Sequence, residues 1–89
     1  MTHRLELGQD GDATRIAFQG VLDPAAVEDV LAHSRAARRR GAREVVLVLS
    51  AGTEAQRESL ELLRGVDGLR VEAASPFLAC WLRQCGISQ

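Results

Sequence analysis

The sequence predicts an α/β fold of order β-β-α-β-α-β-α, a four-stranded mixed sheet with its helices mainly on one face. Three observations carry this. An alternating apolar segment through Ile16 and Phe18 runs into Gly20-Val21-Leu22-Asp23-Pro24, where Asp23 is a ready N-cap and Pro24 occupies the first helical position. A short β-branched apolar run, Val45 to Leu49, follows the helix that begins there. The cap-then-proline device returns at Ser75-Pro76 ahead of a second strong apolar periodicity.

Taken in order, residues 3–8 alternate with Leu5 and Leu7 on one face, and Gln9-Asp10-Gly11-Asp12 supplies turn chemistry. Residues 13–22 alternate again, so the first two strands read as a hairpin. The first helix runs from Pro24 to about Arg40, with Val27, Val30, Leu31, Ser34 and Ala37 as its inner stripe. Its early Glu28 and Asp29 and its late Arg38, Arg39 and Arg40 suit the helix dipole, and Gly41 ends it. Residues 45–49 form the central, most buried strand.

Thr53-Glu54-Ala55-Gln56 matches a capping box and predicts a second helix over 54–64 that buries Leu60, Leu63 and part of Leu62. Gly65 to Gly68 breaks that helix, and Leu69, Val71 and Ala73 alternate as the fourth strand. The last helix then carries Phe77, Leu78, Trp81, Leu82 and Cys85 inward and closes at Gly86-Ile87 in a Schellman ending. Right-handed crossovers make strands two, three and four parallel. Winding in one direction leaves Arg15, Ala17, Gln19 and Val21 beside Val46 and Val48 on a half-polar open face, suited to solvent or to a weak contact between two copies.

Composition bounds the function. Residues 1–89 read as one domain without linkers or repeats, and 46% apolar residues suffice for a single core. With 3% aromatics, that core must be aliphatic. A net charge of −1 argues against nucleic acid as the main partner. All 11 basic residues are Arg, while Lys, Asn and Tyr are absent, the pattern of a GC-rich bacterial genome. Met1-Thr2-His3-Arg4 leads into a strand rather than an apolar leader, and no segment approaches the ~20 apolar residues of a membrane span, so a cytoplasmic location is expected.

Catalytic and metal chemistry find no constellation. His3 and His33 are the only histidines, one near the terminus and one on the exposed side of the first helix, and nothing in the sequence brings them together. No nucleophile elbow or phosphate loop occurs, and Glu54, Glu58 and Glu61 line a solvated face. No cofactor is expected. Cys80 and Cys85, in a Cys-x4-Cys spacing, read as free buried thiols. Arg35, Arg38, Arg39, Arg40 and Arg43 form one dense basic cluster at a helix end that already favours cations.

Three places in the chain resemble the STAS family of small bacterial interaction domains. Gly20-Val21-Leu22-Asp23 looks like the family's Gly-x-Leu-Asp at the end of strand two. Val45 to Ser50 resembles the strand that leads to the functional loop. Ala74-Ser75-Pro76 with Trp81-Leu82 and Cys85-Gly86-Ile87 looks like the closing helix. The resemblance implies a non-enzymatic binding module like an anti-sigma-factor antagonist, with a kinase-like anti-sigma factor as partner. The alternatives are an accessory STAS subunit docked on the ATPase of an ABC-type lipid transporter, or a small-ligand-binding protein using the open strand ends.

The departures from the family matter as much. Val48 stands where members usually carry Asp, and Ser50-Ala51-Gly52-Thr53-Glu54-Ala55-Gln56-Arg57 replaces the Asp-Ser-Ser-Gly-like segment whose Ser or Thr is phosphorylated. The second helix is also shorter by roughly two turns. The phosphoserine switch is therefore expected to be lost or rebuilt. Thr53, then Ser50, are the candidate acceptors, although an N-cap role for Thr53 weighs more. Partner contacts are expected at Asp23, Ser50, Gly52, Thr53, Gln56 and Arg57, with the Arg cluster at the opposite end of the first helix.

Overall fold

The hairpin predicted at the N-terminus closes through Gly11-Asp12, and a computed structural model describes residues 3–87 around it. Strand β1 (His3–Asp10) pairs antiparallel with β2 (Ala13–Leu22) without interruption, from His3↔Gly20 to Asp10↔Ala13. Gly11, at φ 65°, fills the first of two loop positions, where a type II′ turn demands a left-handed residue. The reading of Met1 and Thr2 as a lead into the strand lies outside the described residues.

Helix α1 (Pro24–Arg39) starts as the sequence predicts, with the Asp23 side chain accepting from Ala26 N–H at 2.9 Å and Pro24 in the first turn. Strand β3 (Glu44–Leu49) then pairs parallel to β2, and β5 (Leu69–Ala73) pairs parallel to β3. The sheet order is β1-β2-β3-β5. Ile16, Phe18, Leu22, Val45, Leu47, Leu49 and Val71 face the helices and join Val27, Val30, Leu60, Leu63, Leu78 and Leu82 in one aliphatic core. Helix α3 (Pro76–Gln84) is capped by Ser75 Oγ, and Ile87 N–H returns to Leu82 O at 2.9 Å, the expected Schellman closure.

Three expectations fail around residues 50–64 and 77. Thr53 caps no helix. Instead the chain turns after β3, Glu54–Ala55 forms a two-residue strand, β4, and α2 begins only at Arg57, running Arg57–Leu63 with Gln56 at its N-cap and no side-chain cap bond. The reason is the length of β2. Its pairing with β3 ends at Phe18↔Leu49, which leaves Val21 and Leu22 with an open parallel edge, and β4 fills it through Val21↔Glu54 and Leu22↔Ala55. Pairing those backbone groups outweighs a marginal first helical turn. Phe77, expected to point inward, is 80% exposed, whereas Leu62 at 54% keeps the partial burial expected of it.

The second sheet face is uncovered by helices, as expected. Val46 is nevertheless only 3% exposed, because its register neighbours Arg15 and Arg70 flank it and long side chains shield apolar surface with their stems. Arg70 also donates to Glu72 at 2.6 Å and sits 3.9 Å from Glu44. The Glu72 hydrogen bond, followed by the charges of Glu44 and Glu72, raises the Arg70 pKa above its ordinary value. This face is a salt-bridged surface rather than a bare apolar one.

Candidate functional site

The C-terminal ends of β2 and β3 bring the expected residues into one neighbourhood, with different duties. Ser50 follows β3, and its N–H donates to Phe18 O at 3.0 Å while its O accepts Thr53 N–H at 3.0 Å, which tightens the turn. Thr53 lies inside that turn and is 6% exposed. Its hydroxyl donates to Phe18 O at 3.3 Å and lies 3.1 Å from Ser50 Oγ. It is a buried strut that ties the β3–β4 turn to β2, not a displayed group. Gly52 and Gln56 are exposed, and Gln56 N–H donates to Leu22 O at 3.4 Å, beside Asp23. Asp23 is half-buried with Oδ1 committed to the α1 cap.

Arg57 is where exposure and chemistry coincide. Its guanidinium lies 5.0 Å from the centre of the Trp81 ring, a cation–π contact, and Trp81 Nε1 donates to Ala55 O at 2.8 Å. Trp81 thus pins α3 to β4, with its ring half-buried rather than fully inward. Four residues earlier, on the same side of α3, Phe77 stands 80% exposed. The sequence turns both aromatics inward; Trp81 does pack, partly buried, against the core, whereas Phe77 does not. Leu78, Leu82 and Cys85 make a full inner stripe, and positions 77 and 81 lie one residue, about 100°, to its side.

Elsewhere, one pair that the sequence does not bring together does meet. His3 and His33 converge on one carboxylate: His3 Nε2 is 2.9 Å from Asp29 Oδ2, and His33 Nδ1 is 3.4 Å from Asp29 Oδ1 and 2.9 Å from Asp29 O. The His3 ring also stacks on Phe18 at 5.6 Å. This cluster ties the start of β1 to α1; among the described residues no group of three or more His, Cys, Asp and Glu is arranged to hold a metal. Cys85 is buried as expected, but Cys80 is exposed.

The Arg cluster is partly structural. Arg38 donates to Asp67 O at 2.9 Å across the α2–β5 loop, and Arg43 sits 3.8 Å from Asp12. A hollow of about 770 Å³ lies away from the expected site, along β5 between Leu63, Arg64, Glu72 and Ile87. No described helix is long and apolar enough to cross a membrane. No protein-family model matches the chain, and no curated protein matches it in sequence.

Proposed function

We propose that this chain is a non-enzymatic protein-interaction module, resembling bacterial STAS domains of the anti-sigma-factor-antagonist kind and working without a phosphoserine switch in the cytoplasm. One observation carries the docking face: Phe77, exposed at the first turn of α3, next to a Trp81 held rigid by Ala55 O and covered by Arg57. Aromatic and Arg side chains fixed before binding lose little entropy on association, which is why they dominate interface energetics. Gln56, next to Arg57 in the chain, and Gly52 in the preceding turn are also exposed. The burial of Thr53 supports a switchless mode, because a kinase cannot reach its hydroxyl without opening the turn.

The partner is a kinase-like anti-sigma factor or, in the second arrangement of the same module, the ATPase of a lipid transporter. Calorimetric titration of the purified partner tests the surface. Phe77→Ala and Arg57→Glu should each weaken binding at least tenfold, a loss of about 1.4 kcal/mol or more, while Arg39→Glu at the far end of α1 should not. Equal affinity for all three variants refutes the assignment. The small-ligand alternative would instead show ligand-dependent thermal stabilisation and no protein complex.

A further inference from the structure

The outer strand β1 carries a row of unspent backbone groups. Counting back from the pair Asp10↔Ala13 that closes the two-residue hairpin loop, the even-numbered residues spend their N–H and C=O groups on β2, and His3, Leu5, Leu7 and Gln9 turn theirs outward. Among the described residues β1 pairs on this one side only. Sheet edges are usually blunted by charged side chains, by proline, by a bulge, or by a very short strand, and the two central charges of β1, Arg4 and Glu6, are of opposite sign. Here β1 is eight residues long, contains no Pro, and keeps continuous register with β2. Leu7, on the helix face, is 51% exposed, so the helices, which reach β1 at His3, leave its Leu7 end open.

We propose that β1 is a self-association edge: two copies pair antiparallel through β1 about a two-fold axis at Leu5, extending both sheets into one. The charge pattern selects the occupant and the register. With Leu5 opposite Leu5 of the second copy, Arg4 faces Glu6 and Glu6 faces Arg4, so every charge in the paired segment meets its opposite. The Arg4–Glu6 contact already present within each chain, at 3.1 Å, then closes a four-member ring of alternating sign. His3 faces Leu7, which covers that exposed side chain with an aromatic ring already fixed on Phe18.

Neighbouring registers do worse. A two-fold axis at Glu6 sets Glu6 against Glu6, and like charges directly opposed destabilise a sheet. An axis at Leu7 sets Arg4 against Asp10 but also Glu6 against Gly8 and Leu5 against Gln9, which leaves one charge without its opposite and an apolar side chain against a polar one. Antiparallel pairing of a strand with its own copy is isologous and closes at two subunits. A contact of one short strand falls well below the size of a standard stable interface, so the dimer is transient and concentration-dependent.

Sedimentation velocity from about 10 μM to about 1 mM tests this, the range in which weak edge contacts populate. The wild-type chain should move from 9.6 kDa toward twice that mass. Arg4→Glu and Glu6→Arg, both at exposed positions, should each raise the dissociation constant at least tenfold. An equimolar mixture of the two variants should recover association, because the two carboxylates on the edge of the first variant then face the two guanidinium groups on the edge of the second. Hydrogen exchange at high concentration should slow the amides of Leu5 and Leu7 and leave those of Arg4 and Glu6 unchanged. A species that stays at 9.6 kDa throughout, a mixture that fails to recover, or protection without odd–even alternation overturns the proposal.

Discussion

Thr53 offers the sharpest test of how the β3–β4 turn is built. Two substitutions there make opposite demands. In Thr53→Val the shape is kept and the hydroxyl is lost, together with its 3.3 Å bond to Phe18 O and its 3.1 Å link to Ser50 Oγ. No buried group is orphaned, since Phe18 O keeps the Ser50 N–H at 3.0 Å and Ser50 is only half-buried. The cost should therefore stay near that of one ordinary hydrogen bond, about 1 kcal/mol. Thr53→Glu instead forces a carboxylate into a site that is 6% exposed, where the native hydroxyl faces a carbonyl and another hydroxyl. An unpaired buried charge costs several kcal/mol, a large share of the roughly 5–15 kcal/mol that holds a small domain together.

Urea unfolding followed by Trp81 fluorescence separates the two, since Trp81 is the single tryptophan and rests on Ala55 of the neighbouring strand. At a urea slope of about 2 kcal/mol/M, Thr53→Val should lower the midpoint by about 0.5 M. Thr53→Glu should lower it by about 2 M or remove the folded baseline. If Thr53→Glu melts with the wild type, the hydroxyl faces solvent, the strut does not exist, and Thr53 returns as a phosphorylation acceptor.

Three further outcomes follow from the core. Leu47→Asp should leave the chain unfolded by circular dichroism, because Leu47 is fully buried at the centre of the sheet, and residues 45–49 should be the slowest-exchanging segment of the wild type. Ser59→Ala should raise the melting temperature by about 4–8 °C per kcal/mol recovered, because Ser59 Oγ is buried with no hydrogen-bond partner among the described residues and Ala is the better helix former. In native protein a maleimide should label Cys80 rapidly and Cys85 only after denaturation; two equivalents in the native state would place Cys85 at the surface.

Much of the architecture was legible in short-range chemistry. Asp23-Pro24 and Ser75-Pro76 announce helix starts because capping geometry is set within four residues, and the β-branched run at 45–49 announces a strand because its side chains alone decide that it is buried. The candidate site was legible only as a region. Residues 50–57 follow the central strand, and the ends of parallel strands are where such a scaffold presents its loops.

What each residue does there was decided by contacts distant in sequence. The same Thr53-Glu54-Ala55-Gln56 that satisfies a capping box forms a strand instead, because β2 extends past β3 and offers Val21 and Leu22 a partner. That offer comes from some thirty residues earlier, and no local periodicity records it. Trp81 becomes an anchor at the edge of the core because its indole N–H reaches Ala55 O at 2.8 Å, and Phe77 is left outside because Leu78, Leu82 and Cys85 already fill the inner face. His3 and His33 meet on Asp29 only once the hairpin lays β1 beside α1. Capping, turn type and hydrophobic period act within a few residues and so can be read along the chain. The burial of one hydroxyl and the exposure of one aromatic ring depend on which backbone edge was left open elsewhere, and only the folded sheet decides that.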